Sequence, residues 1–258
     1  MKIKLLGILL VVVAFISCEK GAKLTKDSKE TVVTGTTSIL VDETIFPIVE
    51  DVVAVFENEY KNAKINLISK SEGEILQLVK EDHSKIAILA RNLNSDELQY
   101  FSNKKIIPRI TEFAEDAVVF IAHKDNAMET VSIDAFSKKL TGVDSQWKQK
   151  VVFENPQSST ISFLKATLEV GQIDTKQVFS MKDSQELIQF IAENKDAVGV
   201  VGVNWLLQPP VDLEASVQNV KILGVSIPAI KDGKSFVKPN QSNIADHSYP
   251  WTRKLYLL

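Results

Sequence analysis

The chain has 258 residues, with Lys+Arg 30 against Asp+Glu 33 and a formal net charge of −3. Hydrophobic residues make up 45% and charged residues 24%, which excludes a disordered polar chain, a collagen-like chain and, with one cysteine, a disulfide scaffold. No basic excess points to nucleic acid.

Met1 to Ser17 reads as a targeting segment: Lys2 and Lys4 precede an apolar run from Leu5 to Ile16. That run is shorter than the roughly 20 residues a bilayer span requires. It ends at Ser17-Cys18, and Cys18 is the only cysteine. A short apolar run, a small residue and then Cys resembles a bacterial lipobox, which implies cleavage before Cys18 and lipidation there. With the sole cysteine lipidated, the fold must rest on its core. Residues 18–35, rich in Lys, Thr and Ser, read as a tether that could reach roughly 55 Å if extended.

From there strands and helices alternate. Ser38–Val41 reads as a strand and Pro47–Tyr60 as a helix, with Pro47 in its first turn. Ile65–Ile68 is a strand, and Ser71 with Glu74 forms a capping box for the next helix. Lys85–Ala90 is apolar on both faces, as in parallel sheets, and Asn94–Ser102 is a short capped helix. Lys105–Thr111 and Ala117–Ala122 read as two further strands. Ile133–Leu140 reads as a helix, Val151–Phe153 as a strand, and a helix follows Ser158-Ser159-Thr160 to about Val170. Val178-Phe179, Ser184–Glu193 and Ala197–Gly202 read as strand, helix and strand. Lys221–Ser226 and Leu255–Leu258 read as late strands. The pattern predicts an α/β protein of two lobes with a cleft beyond the strand C-termini. The expected division is 36–112 plus 221–258 for the first lobe and 113–220 for the second.

Three predicted loops place polar residues directly before helices: Thr44-Ile45-Phe46-Pro47, Ser69 to Gly73, and Gln157 to Thr160. Free N–H groups and a partial positive charge at helix N-termini make each a potential anion seat, although Ser or Thr there is as often only a cap. Other chemistries lack their signatures. His83, His123 and His247 lie far apart without Cys or His partners, so no metal is expected. The nucleophile elbow, the phosphate loop and the dinucleotide fingerprint are missing from the sequence, so no cofactor and no catalytic residue is expected.

From Thr36 to Leu258 the chain resembles the phosphate-binding subgroup of periplasmic solute-binding proteins, which serve ABC importers. The pieces are Phe46-Pro47, Lys70 to Gly73, Ala90 to Leu93, Ser95 to Glu97, Asp116 to Val119, Asn126, Leu140 to Gly142, Ser158 to Thr160, Val198 to Gly202 and Tyr249-Pro250. The wording is closest to lipoprotein members from Bacteroidetes-type bacteria. The resemblance implies a two-lobed, type II-like periplasmic-binding-protein fold that is not an enzyme. It implies phosphate or a similar small oxyanion as ligand, an ABC permease as partner, and a lipid anchor at Cys18 on the outer side of a membrane. By position it nominates Ile45, Phe46, Ser71, Glu72, Ser158, Ser159 and Thr160 as ligand-binding.

The sequence departs from the family pattern in two ways. Where members carry Arg four residues before Ser-Gly-Thr, this chain has Glu154, and Ser159 replaces the Gly. A carboxylate in the cleft would repel a dianion or need its own partner, so the expectation for Glu154 is a side chain turned away from the site rather than one in contact with the anion. Arg91, at the end of the third strand, is the expected replacement cation. Members also continue past the strand ending at Leu258, so the sequence reads as cut short there. The competing expectation is a surface-tethered sensor or interaction module of the same fold that has lost phosphate binding.

Overall fold

The computed structural model describes residues 31, 33–143, 147–226 and 236–258. The leader, Cys18 and residues 18–30 of the expected tether lie outside the described residues. The strands are β1 (Gly35–Asp42), β2 (Ala63–Lys70), β3 (Ala87–Leu89), β4 (Thr111–His123), β5 (Thr130–Val131), β6 (Lys150–Phe153), β7 (Val178–Ser180), β8 (Ala197–Gly202), β9 (Val220–Ile222), β10 (Gly224–Ser226), β11 (Phe236–Val237) and β12 (Thr252–Leu257). The helices are α1 (Phe46–Glu59), α2 (Glu72–Lys80), α3 (Ser95–Asn103), α4 (Ile133–Leu140), α5 (Ser159–Thr167), α6 (Ser184–Glu193), α7 (Asn204–Leu207), α8 (Glu214–Val217) and α9 (Gln241–Ala245).

The main sheet runs β2-β1-β3-β12-β4-β8-β6-β7, with β9 also on β4, and β11-β10-β5 form a small second sheet. The main sheet is two doubly wound units joined at their edges. In the first, β1 pairs in parallel with both β2 and β3. In the second, β6 pairs in parallel with both β7 and β8. Strand order therefore reverses at β1 in one unit and at β6 in the other, and such switch points open a crevice beyond the strand ends.

β4 carries the sheet from one unit to the other. Its residues 111–117 pair antiparallel with β12, and residues 118–122 pair antiparallel with β8. The junction is packed by aromatics: Trp251, just before β12, lies 4.7 Å from the Phe120 ring of β4, which in turn lies 4.7 Å from Phe136 of α4. All three are fully buried, each contributing about 1.5–3 kcal/mol by area. The Tyr249 hydroxyl donates to the Val118 carbonyl at 2.8 Å, pinning the return segment to β4.

Local rules account for the helix starts. Ser71 and Glu74 form the predicted capping box, Asn94 and Glu97 form another, and Ser158 caps α5 by accepting from the Ile161 N–H. Two predictions are corrected. Lys105–Thr111 is not a strand: Lys105 takes a left-handed φ of 59° after α3, and the Ile106 N–H closes the helix end on the Phe101 carbonyl. Only from Thr111 does the chain extend, and β4 then runs unbroken where the sequence suggested a second strand starting at Ala117. Lys221–Ser226 is not one strand either. It breaks at Leu223, so that β9 pairs with β4 and β10 with β5.

Candidate functional site

The two switch points face each other. The loop leaving β1 carries Asp42, Glu43, Thr44 and Ile45; the loop leaving β6 carries Glu154 and leads to Ser158, Ser159 and Thr160. The Thr44 and Ser159 hydroxyls meet across the cleft at 2.7 Å, and Thr44 also donates to Asp42 at 3.0 Å. Arg253 of β12 lies below them. Its Nη1 donates to the Ser159 hydroxyl at 3.0 Å, while Nε and Nη2 donate to Asp116 Oδ2 at 3.1 and 2.8 Å. Asn204 Nδ2 and Trp205 Nε1 both donate to the Thr44 carbonyl, at 3.0 and 3.1 Å. Further bonds span the gap between the units. The Ser162 hydroxyl donates to Glu72 at 3.0 Å, the Ser184 N–H donates to Glu43 at 2.6 Å, and the Gly73 N–H reaches the Gln157 carbonyl at 3.3 Å. A cavity of about 420 Å³ is lined by Asp42, Glu43, Thr44, Ser69, Ser71 and Ser158, with Lys70 and Lys182 also on its wall.

The site is rich in buried carboxyls. Asp42, Glu72, Asp116 and Glu154 are all buried, and Glu154 is 0% exposed. Neither Glu154 oxygen has a hydrogen-bond partner. Burial pushes its carboxyl up, opposed by the nearby Thr160 and Ser158 hydroxyls and by Arg253; those hydroxyls are close enough to act on the charge but not placed to bond. Burial, then the Glu154 carboxyl, pushes Glu43 up to about 8 against the pull of the Ser184 N–H. Burial likewise raises Glu72, although Arg91 lowers it.

The sequence-nominated residues divide. Ser158, Ser159 and Thr160 lie at the facing switch points, with the Thr160 hydroxyl buried and unpaired. Ile45 is fully buried in apolar packing and Phe46 packs against both cores, so their side chains serve the core. Ser71 is engaged in its capping box, its hydroxyl donating to Glu74 at 2.8 Å. Glu72 accepts from Ser162 and from Arg91 Nε, the latter at 3.0 Å. Arg91 is spent within its own unit: Nη1 and Nη2 donate to Glu97 at 2.9 Å each, and Nη1 also reaches the Asn92 carbonyl at 2.8 Å. The guanidinium at the meeting of the loops is Arg253, which sequence reasoning missed. Period-two alternation could have found it, since Trp251, Arg253 and Leu255 share one buried face, and a buried Arg demands a carboxylate. Among the described residues no cluster of His, Cys, Asp and Glu is arranged to hold a metal, and no helix is long and apolar enough to cross a membrane.

Two doubly wound units, joined through β4 and β12 with their switch points face to face, make the fold of a two-lobed solute-binding protein. The chain belongs to the PBP superfamily, whose domain model matches residues 27–258. It is 25% identical over 228 residues to the phosphate-binding protein PstS of Staphylococcus haemolyticus, covering 83% of this chain and 67% of that protein. Its fold matches a crystal structure described as a "Phosphate ABC Transporter Substrate-Binding Protein with Bound Phosphate" from Clostridium perfringens, with TM-score 0.67, 18% identity and 86% of each chain covered. It also matches an ABC-type phosphate transport receptor from Vibrio cholerae, with TM-score 0.59, 16% identity and 86% of each chain covered.

Proposed function

We propose that this chain is the extracytoplasmic binding component of an ABC importer, lipid-anchored through Cys18, and that its cleft takes phosphate or a related oxyanion. The observation that carries this reading is the start of α5. Ser158, Ser159 and Thr160 set a helix N-terminus against Thr44 of the opposite lobe, and a helix N-terminus offers free N–H groups and about half a positive charge to an anion. The names of the matched relatives support the choice of phosphate. The bonds that span the cleft, from Thr44 to Ser159 and from Ser162 to Glu72, describe lobes in closed contact. A ligand drives such closure by binding the closed form more tightly than the open one.

A second reading is favoured by Glu154. A fully buried, unpaired carboxyl beside the anion seat, with Arg91 and Arg253 both bonded to carboxylates, also suits a tethered sensor or interaction module that kept the fold and lost phosphate. Thermal unfolding of protein stripped of ligand by denaturation and refolding separates the two. Phosphate at 100 times its dissociation constant should add about 2.7 kcal/mol. Unchanged melting with phosphate, arsenate and sulfate would leave the second reading standing.

A further inference from the structure

Glu154 is the only buried side chain among the described residues with both carboxyl oxygens lacking a hydrogen bond. It stands one residue past β6, at the switch point, and is 0% exposed. Among the described residues no Lys, Arg or His forms an ion pair with it; the guanidinium that acts on it, Arg253, is bonded to Asp116 and Ser159. The charged group facing it from the other lobe is Glu43, itself acidic and flanked by Asp42. On its own side stand the hydroxyls of Ser158, which caps α5, and Thr160, which is buried and also without a partner.

An ionised carboxylate in this position would be an uncompensated buried charge beside a second acid, an arrangement proteins avoid by neutralising the group. A neutral carboxylic acid fits better, but it brings an O–H donor that needs an acceptor. The Thr160 hydroxyl beside it also has no acceptor. Two O–H groups without a hydrogen-bond partner, one on the loop leaving β6 and one in the first turn of α5, suit an anionic oxygen as acceptor.

We propose that Glu154 carries a proton in the closed cleft and donates a hydrogen bond to an oxygen of the bound oxyanion, so that binding takes up a proton from solvent. The proposal rests on the oxyanion reading above. It turns the acidic residue from an obstacle into a donor standing where the sequence pattern led one to expect a cation.

The test is calorimetric titration of the purified full chain with inorganic phosphate, across pH and in two buffers of different ionisation enthalpy. Wild type should take up close to one proton more than Glu154→Gln, whose amide keeps a donor and no titratable group. Relative to Glu154→Gln, wild-type affinity should fall by about tenfold per pH unit once the acid ionises. Phosphate's own titration is common to both proteins and cancels in the comparison. Glu43→Gln should leave the proton uptake in place. Equal uptake in wild type and Glu154→Gln overturns the proposal, as does uptake that vanishes in Glu43→Gln and persists in Glu154→Gln. Binding by Glu154→Gln alone also overturns it, because the carboxyl would then stay ionised and exclude the anion. If neither protein binds phosphate at any pH, the oxyanion reading itself falls and takes the proposal with it.

Discussion

Arg253 and Glu43 show how burial sets the chemistry of single residues here. The Arg253 guanidinium is buried, so it is held by Asp116 on two nitrogens and by Ser159 on the third. Glu43 has one good partner, the Ser184 N–H, and an acidic neighbour in Glu154, and its carboxyl is pushed from 4.5 up to about 8. A raised carboxyl favours the protonated folded state. Its contribution to stability is fully present below pH 4.5 and is lost as pH rises through about 8. The loss reaches at most about 1.4 kcal/mol per pH unit. Glu43→Gln removes the titration and keeps a carbonyl to accept from Ser184. Melting curves taken across that range should show wild type falling relative to Glu43→Gln as pH rises; a parallel course for the two proteins would place the ionised form of Glu43 comfortably in the fold.

At the scale of elements, the turn from β8 into α7 is what brings the two lobes' backbones together. Gly202 ends β8, and a Cβ there would sit 2.5 Å from Asn204 Nδ2, 2.8 Å from the Thr44 carbonyl oxygen and 3.0 Å from Asp116 Oδ2. The Asn204 amide can swing away, but the Thr44 carbonyl is backbone, itself bonded to Asn204 and Trp205. Gly202→Ala should therefore cost about 1–3 kcal/mol, as overpacking does, and loosen the Thr44–Ser159 contact. Urea unfolding measures the first effect. The second should appear as faster amide exchange at the start of α5, and unaltered exchange there would show that the two lobes meet independently of this turn. The helix starts around the cleft follow from sequence because a cap is a local device: Ser71, Asn94 and Ser158 each bond a backbone N–H three residues on. Strand limits do not follow in this way. Lys105–Thr111 has strand-like composition, yet the left-handed Lys105 ends α3 and sets the chain on another course.

At the scale of the whole molecule, two units of the same winding order are joined edge to edge, so the open ends of β1 and β6 meet in a cleft shared by both. On the proposed lipid anchor at Cys18, this body works from a membrane surface on a tether. Cys18→Ser should then move the protein from the membrane fraction to the soluble fraction or leave the precursor uncut, as fractionation and the mass of the product would show. A Ser variant that matures and fractionates like wild type would remove the lipid anchor from the account.

The sequence by itself determined the alternation of strands and helices, the caps, and the polar loops before α1, α2 and α5, because periodicity, capping and turn chemistry act within a few residues. It also marked Glu154 as a residue out of keeping with an anion seat. Only the tertiary structure decided which groups share the site. Arg253 and Asp116 are far apart in the chain and meet because β12 lies antiparallel on β4. Arg91, which looked free at a strand end, is captured by Glu72 and Glu97 of α2 and α3. Burial turns Glu154 and Glu43 from ordinary acids into raised ones, and no local stretch of sequence encodes the desolvation that the folded chain imposes on them.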